Sequence, residues 1–126
     1  MNTDTRPLLS LAQAYFDAAY EMDADKFAAL FHRSSSVTKI GEDGDVRVTP
    51  IEVWLASVRN TKAPRLSGLR RRDLSDEILS TDVVRDLALL KLKFQIPPRH
   101  FTDVLSCLNV HGTWKIVQKV MTAEVR

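Results

Sequence analysis

The chain has 126 residues, 44% hydrophobic and 27% charged, with a formal net charge of +2. This fits one ordinary globular domain spanning 1–126, and so mild a charge gives no reason to expect a nucleic-acid partner. No apolar run reaches the ~18 residues of a membrane span, and one cysteine with three histidines offers neither an internal disulfide nor metal-ligand spacing, so no cofactor or metal is expected.

The start, MNTDTRPLLSLAQAYF, has neither a basic n-region nor an apolar h-region and does not read as a signal peptide. A cytoplasmic location is therefore expected. Asp4 or Thr5 can cap a first helix with Pro7 in its first turn. Leu8, Leu11, Ala12, Tyr15, Ala19 and Met22 recur at helical spacing, opposite Ser10, Gln13, Asp17 and Glu21. Asp23 can cap a second, short helix, DADKFAALFH, burying Phe27, Leu30 and Phe31. SSSVTKI reads as a strand, GEDGD as a turn and VRV as a short return strand.

TPIEVWLASVRN carries the signals of a third helix. Thr49 and Glu52 have capping-box spacing, Pro50 suits the first helical position, and Ile51, Trp54, Leu55 and Val58 make an apolar stripe. After a KAPRLSG loop, the chain from Leu69 onward reads as strand. LRRRDLSDEILS leads through a Thr81-Asp82 turn into VVRDLALLKLKFQI, Pro97-Pro98 turns into FTDVLSCLNV, and His111-Gly112 is a two-residue hairpin turn into TWKIVQKVMTAEV. In the last strand simple alternation places Trp114, Ile116, Gln118 and Val120 on the buried face and Lys115, Val117 and Lys119 on the other. In VRDLALLKLKFQI one face is wholly apolar (Ala88, Leu90, Leu92, Phe94, Ile96). The opposite face carries Leu87 and Leu89, which points to a homodimer through the outer sheet face. The expected class is α+β, three N-terminal helices on a strongly curved, mostly antiparallel sheet.

YFDAAYEMDADKFAALFH, TPIEVWLASV and FTDVLSCLNVHGTWKIVQKV resemble the nuclear transport factor 2-like superfamily. The resemblance runs from about Pro7 to about Ala123, and its nearest branch is the one labelled "Putative lumazine-binding", beside the SnoaL-like polyketide cyclases and ketosteroid isomerases. It implies a cone-shaped α+β barrel, open at one end and usually dimeric through the outer sheet face. GTWKIVQKV would be the strand that closes the back of the cone. The catalytic aspartate pairs of ketosteroid isomerases find no matching positions, and His32 is followed by Arg33 and three serines where relatives commonly have Pro-Asp.

Individual residues carry two readings each. Asp103 shares a strand face with Phe101, Leu105 and Cys107. A carboxylate among apolar neighbours has its charged form disfavoured, which is how a general base is made; the alternative is a bond to a nearby arginine or exposure. His32 at the end of the second helix is either a proton carrier at the cone mouth or a residue satisfying that helix end. Tyr15 and Trp54, with Phe31 beside them, either line a pocket or fill the core. Gln118 is a polar residue on an apolar face that needs a partner, protein or ligand. Arg70, Arg71 and Arg72 alternate between faces and are followed by Asp73, Asp76 and Glu77, so they read as a solvated strand or dimer rim. Cys107 reads as a small buried hydrophobe.

The pattern leads to a small-molecule-binding protein with a largely apolar pocket for an organic ligand. The alternatives are an isomerase, dehydratase or cyclase using Asp103 as base with Tyr15 or His32 as polariser, and a dimeric association domain with no ligand.

Overall fold

The computed structural model describes residues 4–61 and 75–125. Three helices, α1 (Arg6–Glu21), α2 (Ala24–Leu30) and α3 (Ile51–Arg59), accompany six strands. The strands are β1 (Ser36–Ile40), β2 (Val46–Pro50), β3 (Glu77–Val84), β4 (Leu87–Ile96), β5 (Arg99–Val110) and β6 (Thr113–Val125). They form one sheet in the order β2-β1-β6-β5-β4-β3. Every pair is antiparallel except β1 with β6, which is parallel and ties the first hairpin to the last strand. The α+β architecture and its three helices are as expected. Arg70, Arg71 and Arg72 lie outside the described residues.

The apolar face of β4 is the centre of the core: Ala88, Leu90 and Leu92 are fully buried and Phe94 nearly so. Burying each such leucine contributes about 1.5–3 kcal/mol. Leu8, Ala12, Tyr15 and Phe16 of α1 close over this face. On the other side Leu87 is 51% and Leu89 38% exposed. Asp23 caps α2 by accepting hydrogen bonds from the backbone N–H groups of Asp25 and Lys26, both at 3.1 Å. At the far end of that helix the Lys115 ammonium donates to the Ala29 carbonyl at 2.7 Å, occupying one of its otherwise open acceptors.

Three local expectations are corrected and a fourth is refined. The β3–β4 turn is at Arg85-Asp86, with Arg85 at φ 55°, and Thr81 stays in the ladder opposite Leu90. That register sets Val83 against Ala88 on the covered face. The N-cap of α1 is Thr5, by backbone alone, and Asp4 lies one residue outside it, its carboxylate accepting from the N–H of Arg6, the first residue of the helix. The Thr49–Glu52 capping box does not form, because β2 runs directly into α3: Thr49 pairs with Val37, and Pro50 is the residue before the helix. Trp114 is half-buried against the core edge rather than enclosed.

The last strand contains the correction that matters for the site. In the β5–β6 ladder Cys107 pairs with Ile116 and Ser106 with Gln118, leaving Val117 as an extra residue, a β-bulge. A one-residue insertion exchanges the two faces beyond it. Ile116 points inward before the bulge; beyond it Lys119, 4% exposed, points inward and Val120, 47% exposed, points out.

Candidate functional site

Between the helices and the inner face of β4–β6 lies a cavity of about 240 Å³. Tyr15 from α1, Phe27 from α2, Trp54 and Val58 from α3, Phe94 from β4 and Phe101 from β5 make its wall mostly apolar and aromatic. Its polar centre is Asp103, fully buried between the inward positions of Phe101 and Leu105. Tyr15 Oη donates to Asp103 Oδ2 at 2.5 Å, within the range of a charge-assisted O–H···O⁻ bond. Lys119 Nζ is 3.5 Å from the same oxygen, and the two side chains are 4% and 1% exposed. Asp103 Oδ1 is buried and has no hydrogen-bond partner among the described residues. One carboxylate oxygen is thus held by a hydrogen bond and an ion pair, and the other by neither.

Lys119 is also enclosed by aromatic rings. Its ammonium sits 4.3 Å from the Trp54 ring centroid, 5.3 Å from that of Tyr15 and 5.9 Å from that of Phe27. Ring faces attract a cation, and this compensates in part for lost hydration. The rings hold one another: Trp54 meets Phe27 edge-on at 4.9 Å, Tyr15 meets Phe27 at 5.3 Å, and Phe94 stacks on Phe101 at 5.1 Å.

Burial dominates the titration of both partners of Asp103. It raises the Tyr15 phenol well above its usual range, with the Asp103 charge and hydrogen bond acting the same way. Burial lowers the Lys119 ammonium, against the opposing pull of Asp103, and the charge of Lys39 lowers it further. Tyr15 therefore stays a neutral donor throughout the physiological range. Cys107, also on the inner face of β5, has its thiol pushed up to about 12 by burial, so it is a packing residue rather than a nucleophile.

The expected site residues divide cleanly. Asp103, Tyr15 and Trp54 converge on the cavity. Phe31 stands behind its wall, packed 5.9 Å from Trp54 and 6.4 Å from Phe27. Gln118 does not reach the cavity: the bulge turns it to the outer face, where it accepts from the Ser36 hydroxyl at 2.8 Å and donates to the Thr38 hydroxyl at 2.9 Å. Those partners satisfy both ends of its amide within the sheet. His32 lies in the turn after α2, where its Nδ1 is engaged by the Ser34 hydroxyl and the Ser34 N–H and its backbone N–H donates to the Ile116 carbonyl. Lys119, which alternation had assigned to the outer face, is the residue that sequence reasoning missed. Among the described residues no cluster of His, Cys, Asp or Glu could hold a metal ion, and no helix is long and apolar enough to cross a membrane.

The fold recurs in solved structures. A nuclear transport factor 2-like protein of unknown function from Silicibacter pomeroyi is 23% identical, with a TM-score of 0.80 over 98% of this chain and 100% of that one. One from Shewanella baltica is 18% identical, with a TM-score of 0.84 over 99% and 100%. A ketosteroid isomerase-like protein from Erwinia carotovora atroseptica is 12% identical, with a TM-score of 0.73 over the whole of both chains. At these identities the likeness concerns the fold alone. No curated protein matches the chain. Residues 3–122 match the family described as "Putative lumazine-binding"; the chain belongs to that family and has the nuclear transport factor 2-like fold.

Proposed function

We propose that the chain binds a small, flat, largely apolar molecule in this cavity through an O–H or N–H group that donates to Asp103 Oδ1. The free, buried oxygen on the cavity wall carries the reading. An unsatisfied buried acceptor costs about 1–3 kcal/mol, and a ligand donor recovers that cost. The neighbouring Lys119 ammonium offers a donor to a carbonyl on the same ligand edge. A volume of 240 Å³ lies just below the roughly 300–1,000 Å³ of drug-sized sites, which favours a bicyclic molecule over a larger one. A lumazine, the molecule the family's description names, is likewise a flat bicycle with N–H donors.

Calorimetry with 2-naphthol and 2-methoxynaphthalene, which share a body and differ in the O–H, tests this. Binding of 2-naphthol, weakened at least tenfold by the methyl group, is the expected result. Equal affinities, or no heat from either, would sink it.

A second reading follows from the way Oδ2 is anchored while Oδ1 is free, since that orients Asp103 as a general base toward a carbon acid in the cavity. The base would take a proton from the carbon beside a carbonyl, and Lys119 would stabilise the resulting enolate oxygen. Its test is exchange of the α-hydrogens of 2-tetralone for deuterium, expected with the parent and lost in Asp103→Asn. We propose in addition that two copies associate through the outer sheet face. Leu87 and its neighbour Leu108 on β5 lie on that face, as do Leu89 and Val120.

A further inference from the structure

The inner face of the sheet continues beyond the part the helices cover. Past Asp103 and Lys119 the cavity shares Arg99, Phe101 and Met121 with a groove of about 380 Å³, which also includes Lys39 of β1. Strand alternation puts Lys39 on the same face as the buried Val37, and Arg47 of β2 is paired directly opposite Lys39. Lys39, Arg47 and Arg99 therefore stand on the open part of this face, with Lys119 deeper inside.

Like charges directly opposite on adjacent strands destabilise a sheet. Among the described residues the ion pairs involve none of these three. Of the carboxylates near Arg47, Asp43 accepts from the Asp45 N–H, and Glu42, which lines a neighbouring pocket with Lys39 and Arg47, makes an ion pair with neither among the described residues. Among the described residues the groove and cavity together thus place three cations (Lys39, Arg99 and Lys119) against one carboxylate, that of Asp103. A cleft lined by one sign of charge focuses its potential on what enters.

Resting on the cavity as a ligand site, we propose that its ligand is an organic acid. Its flat body lies among Trp54, Phe94 and Phe101, its hydroxyl or N–H meets Asp103, and a carboxylate or other oxyanion at the opposite end projects to Arg99 and Lys39. A cationic ligand meets the reverse situation, because Lys119 already occupies the face of Trp54 and Arg99 repels it at the entrance. Carboxylate, sulfonate and phosphate ends share this chemistry, and the guanidinium fork of Arg99 suits all of them.

The experiment is calorimetric titration of the full chain with 6-hydroxy-2-naphthoate and with 2-naphthol, which lacks the carboxylate. The naphthoate is expected to bind about five- to tenfold more tightly, the combined effect of two partly screened cations. That advantage, read as the ratio of the two affinities, should fall to about one in Arg99→Ala/Lys39→Ala. It should also shrink at about 0.5 M salt, where the Debye length is roughly 4 Å. Both residues are exposed, so the variant keeps its core, and measurable 2-naphthol binding reports an intact cavity. Equal affinities of the parent for the two compounds overturn the acid inference and leave the binding reading standing. An advantage that survives in the double variant also overturns it. No binding of either compound overturns both.

Discussion

Lys119→Met removes the buried cation while keeping nearly the same side-chain volume, and so isolates what the ion pair does. In the parent, Lys119 and Asp103 are 4% and 1% exposed, with Nζ 3.5 Å from Oδ2. Removing one member leaves Asp103 in an apolar wall with only Tyr15 as donor. Stranding one charge of a buried pair costs about 3–5 kcal/mol, against a total of about 5–15 kcal/mol for a domain. For a chain of this size each kcal/mol moves the midpoint by about 3–4 °C, so Lys119→Met should melt about 10–20 °C below the parent. Asp103→Val strands the ammonium and should cost a similar amount. With both partners replaced the stranded charge disappears. The remaining penalty is the unpaired Tyr15 hydroxyl, about 1–3 kcal/mol, and adding Tyr15→Phe should bring stability back to within about 2 kcal/mol of the parent. Urea unfolding followed by circular dichroism at constant m-value measures the cycle. If Lys119→Met unfolds at the parent's midpoint, or the losses simply add, the ammonium is not buried beside Asp103 and the bulge at Val117 does not do what we ascribe to it.

Four further outcomes are expected. The Lys119 pKa is depressed below its usual 10.5 by burial, so the unfolded chain holds this proton more tightly. The stability of the parent relative to Lys119→Met should therefore rise with pH from the folded pKa up to about 10.5. The Tyr15 pKa is raised above its usual 10.0, so stability relative to Tyr15→Phe should be level below pH 10 and fall above it; urea midpoints across that range measure both, and opposite slopes would contradict the assignments. Trp114→Ala should cost about 2–3 kcal/mol, less than the ~3–5 kcal/mol of a fully buried aromatic, because the side chain is half-exposed at the core edge; a parent-like melting curve would mean that it does not pack there. The proposed association through the outer face predicts a dimer in sedimentation at micromolar concentration and a monomer for Leu89→Asp, and a monomeric parent would remove the proposal.

The apolar stripe of β4, the α2 cap at Asp23 and the His111-Gly112 turn were legible because each depends on residues a few positions apart. Both turn residues have positive φ, 52° and 88°. Asp103 and Tyr15 could be placed on core-facing positions, but nothing local shows that residues 88 positions apart form a hydrogen bond. The bulge defeated the reading of β6, because alternation was carried unbroken through Val117. A signal was present: before it the apolar set falls on even positions, Trp114 and Ile116, and after it on odd ones, Met121, Ala123 and Val125. Gln118, Thr122 and Glu124 then share the solvent side, and Lys119 is the single charged residue on the apolar one. Such a change of parity within a strand marks an inserted residue.

The chain has two tryptophans, and they report on different places: Trp54 lines the cavity, whereas Trp114 borders a separate groove with Pro7, Asn109 and Gly112. Titration of ¹⁵N-labelled protein with 2-naphthol, followed through the two indole N–H resonances, therefore tests the central claim directly. The Trp54 resonance is expected to move saturably while that of Trp114 stays in place, and Asp103→Asn should abolish or greatly weaken the response. Movement of Trp114 alone, or a silent Trp54 at saturating 2-naphthol, would contradict it.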